Sequence, residues 1–400
     1  MAERHEPLPF LPYGRQNLDE DDFAAVRRVL ESDWLTTGPE IGAFEEALCQ
    51  TTGAKFAIAC SSGTAALHIA ARSLDLGPGD HVIVPSMTFA ATASVMRLQG
   101  AEVIFADVDP ATGLMDVGHA AAALAATDND VDVKAVFPVH FAGQVADPAG
   151  MAAFASEHGL QVVADACHAL GGAYQDQVGG WHQVGGNHHD TMSCFSFHPV
   201  KAAAMGEGGA VTTNDPVLAS ALSRHRNHGI VRGDMMTAAD PADPWQYEVV
   251  EVGHNYRTSD IHAALGRSQL SKLDNFIDKR RQLVAHYEKL LSPLAPAVLP
   301  LARAKHCQPA WHLFVALVDW SAIGLSRRQV MTGLQDHGIG SQVHYIPLHQ
   351  QPYYRRRYGD QQLPGAEKYY QSCLSLPLYP SLENRDVERV VETLRDIIAG

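Results

Sequence analysis

Leu160-Gln161-Val162-Val163-Ala164-Asp165, followed by His168 and, further on, by Ser196-Phe197-His198-Pro199-Val200-Lys201, decides how this chain is read. The first run is apolar and β-branched and ends on a carboxylate, the pattern of a strand buried on both faces. The second ends on a lysine, and three alanines and Met205 separate it from Gly206-Glu207-Gly208-Gly209. A lone lysine is ordinarily a solvated surface group. A strand-end aspartate is ordinarily a turn or cap residue. The flanks of Lys201 argue otherwise, because proline, alanines and glycines leave little solvated surface and permit close approach of another molecule. A desolvated lysine has a lowered pKa and serves as nucleophile and proton carrier. A buried carboxylate upstream can hold a cationic ring nitrogen protonated. Asp165 and Lys201, in that order, are the two groups that pyridoxal 5′-phosphate (PLP) chemistry requires.

Working outward, short β-branched runs alternate with helical patterns from residue 55 to 215. The pattern predicts a helix over 64–74 and strands over 81–84, 102–106, 133–139, 161–164, 192–197 and 209–213. Such alternation indicates an α/β protein with a mainly parallel sheet covered by helices on both faces. Function in such sheets gathers at strand C-termini, where Asp165, Ser196 and His198 fall. A long helical stretch over 258–287 follows. After it comes a smaller α/β unit, with a strand at 312–318, a helix at 326–337, a strand at 341–345 and two closing helices. The division expected is 1–275 for a large domain, with an N-terminal arm over 1–50, and 276–400 for a small C-terminal domain.

Four hundred residues exceed one ordinary core, which agrees with two domains. The net charge of −15 argues against nucleic acid and anionic membrane as partners. The opening segment mixes charges and prolines, unlike a signal peptide, and the longest apolar runs are strand-sized. Six dispersed cysteines with no C-x-x-C pair point to reduced thiols and a cytoplasmic location. Asn187-His188-His189-Asp190 invites a metal reading, but adjacent histidines point apart on a strand and do not share a helix face. A polar loop is the expectation there, with no metal.

Weaker signals surround the pair. Cys60-Ser61-Ser62-Gly63-Thr64 opens a helix, either as a plain N-cap or as a phosphate site at free N–H groups. Ser196 offers a hydroxyl to the same anion. Phe89 is a core residue or an aromatic stacked on a flat cofactor. Gly253-His254-Asn255-Tyr256-Arg257 is an N-cap loop or a source of anion-binding side chains. His344-Tyr345 and Tyr353-Tyr354-Arg355-Arg356-Arg357 are a solvated loop or a surface for a nucleotide base and pyrophosphate.

In their joint order these motifs resemble the DegT-type nucleotide-sugar aminotransferases, a branch of the fold-type I PLP enzymes. The resemblance runs from Pro12-Tyr13-Gly14-Arg15-Gln16 to Leu376-Pro377-Leu378-Tyr379-Pro380. It implies a large domain with a seven-stranded sheet between helices and a smaller C-terminal α/β domain. It makes Lys201 the Schiff-base and proton-shuttling lysine, Asp165 the partner of the pyridinium nitrogen, and His168 a neighbour of the ring. Phe89 would stack on the ring. Ser62, Gly63, Thr64 and Ser196 would hold the phosphate, and Asn255 would reach it from the other subunit of a homodimer with shared active sites. Thr37, Arg257, His344 and Tyr345 would contact the nucleotide sugar. PLP would cycle through pyridoxamine phosphate, with glutamate as amino donor. Within the family, the chain is most similar to members that aminate C4 of a UDP-linked 4-keto-6-deoxy-N-acetyl-hexosamine for pseudaminic acid.

Other readings remain open at this point. Another nucleotide-linked keto-sugar, on dTDP or GDP or with a C3 keto group, fits the same motifs. A sugar dehydratase of this fold replaces the lysine by histidine, so Lys201 counts against it. A regulatory protein on the same scaffold would lack part of the set. An oxidoreductase would need a strand-linked Gly-x-Gly-x-x-Gly, which is absent.

Overall fold

Asp19 and Asp22 close a capping box that starts α1 (Glu20–Leu30), and Gly53, at φ +79°, ends α2 (Pro39–Thr52). The computed structural model describes residues 9–128, 130–233, 236 and 243–400, so the first eight residues of the expected arm lie outside it. Strand and helix then alternate: β1 (Phe56–Cys60), α3 (Gly63–Ser73), β2 (Asp80–Pro85), α4 (Ala90–Gln99), β3 (Glu102–Ala106) and α5 (Val117–Ala125). β4 (Asp132–Val136), α6 (Pro148–His158) and β5 (Gln161–Asp165) continue the series. A small hairpin, β6 (Ala173–Gln175) and β7 (Trp181–Gln183), precedes β8 (Met192–Ser196), β9 (Gly209–Thr213) and α7 (Pro216–Arg226).

Seven strands form one sheet in the order β1-β9-β8-β5-β4-β2-β3. β9 runs antiparallel to β1 and β8, and the other neighbours are parallel. Alternate side chains reach opposite faces, as the strand period demands. Val82, Val84 and Val163 join one core with α3, whereas Ile83, Val136 and Val162 join another with α5 and α6. Ser196 pairs with Gly209, so the loop that carries Lys201 leaves and re-enters the sheet at one register position.

Past β10 (Ile230–Val231) and β11 (Glu248–Val249), the helical stretch expected over 258–287 is two helices, α8 (Asp260–Leu270) and α9 (Leu273–Leu291). The break falls at Ser271 and Lys272. Lys272 Nζ reaches back 2.6 Å to both Asp19 and the buried Asp22, tying the break to the start of α1.

The C-terminal part holds β12 (Val298–Pro300), β13 (Cys307–Gln308), β14 (Phe314–Val318), α10 (Trp320–Ile323) and α11 (Arg327–Asp336). After these come α12 (Pro352–Tyr358), α13 (Pro364–Ser372), β15 (Cys373–Leu376) and α14 (Asn384–Ala399). β12, β14 and β15 make a second sheet, and α9, α11 and α14 close a separate core over it through Tyr287, Leu334 and Leu394.

Three expectations are corrected here. Residues 341–345 are not a strand: Gln342 forms one isolated bridge to Ser375, and the next residues turn toward the large sheet. The sheet partner in this region is instead β15, a fully buried four-residue run. Among the described residues, three helices and not two follow Tyr345. The strand expected over 133–139 stops at Val136. Pro138 has no N–H for a ladder, and its carbonyl accepts from Asp165 N at 2.8 Å.

Candidate active site

The C-terminal ends of β5 and β8 and the starts of α3 and α4 meet segments from the C-terminal part around a cavity of about 550 Å³. Asp165, the last residue of β5, is 5% exposed on its floor. Thr92 Oγ1 donates to Asp165 Oδ2 at 2.7 Å, and Cys167 N donates to Oδ1 at 3.2 Å. Thr88 and Thr92 hydroxyls lie 2.8 Å apart and extend the chain.

Lys201 lines the same cavity, in a turn where its N–H donates to His198 O at 2.8 Å. Burial lowers its pKa from the ordinary lysine value, against the opposite influence of Cys167 and Asp165. The neutral amine is thereby more available than on a surface lysine.

At the far end Ser62 caps α3, its Oγ accepting from Ala65 N at 3.1 Å. Backbone and side chains leave a close-fitting cradle there. A Cβ on Gly63 would lie 2.7 Å from Ser196 Cβ, and one on Gly209 would lie 2.1 Å from Ser62 O. The first N–H groups of an 11-residue helix beside the Ser196 hydroxyl suit a phosphate.

His168 is buried and lines the cavity. Its Nε2 is 3.4 Å from Tyr345 Oη, and its Nδ1 has no partner. Phe89 caps α4 and lies 57% exposed at the rim, its ring 6.0 Å from that of Tyr345. His344 Nδ1 is 2.8 Å from Ser375 Oγ, and burial pushes the His344 pKa down to about 3.

The expected site residues thus divide into two groups. Ser62, Gly63, Thr64, Phe89, Asp165, His168, Ser196, Lys201, His344 and Tyr345 line one cavity. Thr37, Asn255 and Arg257 do not. Thr37 and Arg257 line a second cavity of about 810 Å³, where Arg257 Nη1 donates to Asn227 Oδ1 at 2.7 Å. Asn255 is exposed, and its backbone bridges Asn227.

Tyr353–Arg357 lie on α12, outside the Lys201 cavity, with Tyr353 47% exposed. Tyr354 packs edge-on against Phe105 at 5.1 Å, Arg357 binds Glu102, and Arg355 pairs with Asp360 at 2.6 Å. The His188-His189 stretch is a packed turn: His189 Nδ1 is 2.9 Å from Tyr174 Oη, and Asn187 Nδ2 donates to Gly185 O and Thr212 Oγ1. Among the described residues no group of three or more His, Cys, Asp or Glu is arranged to hold a metal ion. No described helix is long and apolar enough to cross a membrane.

Reading the sequence alone passes over Tyr13, Thr88, Thr92, Cys167, Glu207, His312 and Gln342, which line the cavity or hold Asp165. Thr92 had a faint signal, lying one helical turn beyond Thr88 at the start of α4. His312 and Gln342 had none, because only the folded chain brings them near β5.

The residues present fit PLP. The cradle at Gly63 and Gly209 would accept a phosphate, and in the same cavity Asp165 would hold a ring nitrogen and Lys201 would supply the amine. Solved structures agree. Helicobacter pylori PseC, an aminotransferase of pseudaminic acid biosynthesis, is 30% identical with a TM-score of 0.88, covering 98% of this chain and 99% of its own. Streptococcus pneumoniae Spr1654, a putative sugar aminotransferase solved in its PMP form, is 27% identical with a TM-score of 0.86, covering 98% of each chain. DesI, solved in the presence of its TDP-sugar product, is 30% identical with a TM-score of 0.84, covering 98% of this chain and 93% of its own. Fold and site together define a fold-type I, PLP-dependent sugar aminotransferase. The chain belongs to the DegT/DnrJ/EryC1/StrS aminotransferase family, which it matches over residues 16–395.

Proposed function

We propose that the protein transfers an amino group, with glutamate as donor, to C4 of a UDP-linked 4-keto-6-deoxy-N-acetyl-hexosamine in cell-surface sugar synthesis. The observation that carries this reading is the likeness to PseC along nearly the whole of both chains. The site suits the chemistry, because a cavity of about 550 Å³ with Lys201 in its lining offers room for a donor and a sugar in turn.

PLP, when bound, supplies the electron sink that lets a proton leave the carbon bearing nitrogen. The chain supplies the rest. Asp165, oriented by Thr92 and Cys167, holds the ring nitrogen and its proton. Lys201 Nζ takes the proton from the α-carbon of the donor and, in the second half of the cycle, delivers one to C4 of the sugar. Ser62, Gly63, Thr64 and Ser196 anchor the phosphate, and Phe89 and Tyr345 wall off the ring face from water.

A homodimer completes the site in this reading. Lys201 is the only Lys or Arg lining the described cavity, whereas donor and nucleotide sugar are both anionic. Asn255 and Arg257 of a second copy would supply those contacts. Exposed Trp34 and Leu35 lie in sequence beside Thr37, and exposed Phe56 lines the same cavity as Thr37, offering apolar surface that a second copy would cover. The two domains divide near residue 275, and the protein works in the cytoplasm.

DesI, matched at the same identity, favours a second reading in which the sugar is carried on TDP. Mass spectrometry of products from a panel of UDP- and TDP-linked keto-sugars with 15N-glutamate separates the two. Label at C4 of the UDP-linked N-acetyl sugar supports the first; label only in a TDP-sugar replaces it with the second.

A further inference from the structure

Arg280 on α9 is 1% exposed and has no carboxylate partner among the described residues. Its Nη1 donates to the carbonyls of Trp311 at 3.4 Å, His312 at 3.3 Å and Leu378 at 2.9 Å, while Nε and Nη2 have no partner. Burying an uncompensated guanidinium is costly. Three carbonyls on two segments offset part of that cost only if both segments are held in place. The segment at 310–313 is gripped from the other side as well. His312 N donates to Ala142 O at 2.9 Å, and Ala310 N donates to Gly143 O at 3.0 Å. The approach is so close that a Cβ on Gly143, at φ +97°, would sit 2.1 Å from Ala310 O.

What this double grip presents is one imidazole. His312 is 5% exposed and reaches the Lys201 cavity, where its ring centroid lies 4.3 Å from that of His168. Phe141 closes on His168 from another direction at 5.9 Å. Nδ1 of both histidines is buried without a partner, so no hydrogen bond at that atom orients either ring. Apart from the long 3.4 Å contact of His168 Nε2 with Tyr345 Oη, packing is then what fixes the plane of His168. Burial, and next the nearby Lys201, drive both imidazoles well below their ordinary pKa, so the pair packs as neutral rings.

We infer that His312 is a positioning residue for the transamination: anchored by Arg280 and the Ala142–Gly143 turn, its ring fixes His168 against the cofactor site. The inference rests on His168 lying beside the cofactor ring. His312 does its work through ring shape, and its nitrogens take no part in the chemistry.

The test uses the PLP-loaded protein and reads the visible absorption band of the bound cofactor, the pH midpoint of that band, and kcat and KM for glutamate. His312→Ala is expected to move the midpoint by half a unit or more and to lower kcat by 10-fold or more, with KM within twofold. His312→Phe, which keeps a flat ring and no nitrogen, is expected to restore the midpoint and most of kcat. Arg280→Met, outside the cavity, is expected to reproduce the midpoint shift in smaller measure; it also serves should His312→Ala fail to fold. An unchanged midpoint and kcat in His312→Ala overturns the inference. So does an unchanged midpoint in Arg280→Met, or a His312→Phe variant as impaired as His312→Ala. A His168→Ala protein with an unaltered band would instead remove the premise that His168 faces the ring. Absence of any band in the unsubstituted protein would count against the PLP function itself.

Discussion

Thr92 Oγ1 points its hydrogen at Asp165 Oδ2 across 2.7 Å, and Thr88 Oγ1 stands 2.8 Å behind it. Two turn-forming threonines at the start of α4 therefore orient a carboxylate at the end of β5, 73 residues away in sequence. Asp165 needs that orientation, because a carboxylate paired with a ring nitrogen must present one oxygen edge-on. A hydrogen bond to a charged group contributes about 1.5–3 kcal/mol, and about 1.4 kcal/mol is a tenfold change in rate. Thr92→Val keeps the shape and removes the donor. We expect kcat to fall by about tenfold with cofactor content unchanged, as read by steady-state kinetics on the reconstituted variant.

Lys201→Ala should abolish turnover while leaving the fold intact. The amine is already desolvated and makes no side-chain hydrogen bond with the described residues, so its removal takes away a burial cost and no structural bond. Circular dichroism should match the parent protein, and the half-reaction with glutamate should be undetectable. Normal activity would mean that another group moves the proton.

The cradle gives a third prediction. A methyl group on Gly63 would meet Ser196 Cβ at 2.7 Å, Ser196 Oγ at 3.1 Å and Cys167 Sγ at 3.3 Å. Gly63→Ala must push Ser196 aside at the point where a phosphate would sit. PLP affinity, measured by titration of the apoprotein, should weaken by tenfold or more. Thermal stability without PLP should drop by a lesser amount, in line with the usual cost of a small overpacked side chain.

Stability should fall on mild acidification. Burial lowers the pKa of His140 to about 4 and of His344 to about 3, and drives His168 and His312 well below the usual value. In the unfolded chain each titrates near ~6.5. A depressed folded pKa contributes stability that is present above pH ~6.5 and is lost as pH falls toward the folded value. Asp190 acts oppositely: burial raises its pKa to about 7, so its contribution grows as pH falls below 7. Four histidines outweigh one carboxyl, and Tm should decline from pH 6.5 to 4. His140→Met should flatten that decline, and Asp190→Asn should steepen it. A Tm that is flat across this range would contradict the account.

The parts of this site that sequence could show were those carried by local pattern. Asp165 and Lys201 stood out because each ends or follows an apolar strand, and Ser62-Gly63-Thr64 because a helix visibly starts there. Six of the seven sheet strands followed from the alternation of runs, whereas β1 was not marked by it and the count of seven came with the family resemblance. What escaped was set by tertiary contact. Residues 341–345 alternate like a strand, yet His344 and Tyr345 are drawn into the cavity beside Ser375 and His168. β15 was hidden because four buried residues after a helix carry no strand period of their own. His312 was invisible, and Thr92 only faintly marked, for a related reason, since neither lies near Asp165 or His168 in sequence. The ion pairs of Arg355 with Asp360 and of Arg357 with Glu102 were likewise beyond local pattern, since Glu102 lies on β3.

The most direct test of the central claim is an absorption titration of the purified, PLP-reconstituted protein: glutamate first, then keto-sugar nucleotides one at a time. The account predicts a visible band that glutamate bleaches and that a UDP-linked 4-keto-6-deoxy-N-acetyl-hexosamine restores. A band that glutamate leaves untouched, or the absence of any band after PLP is added, would contradict it.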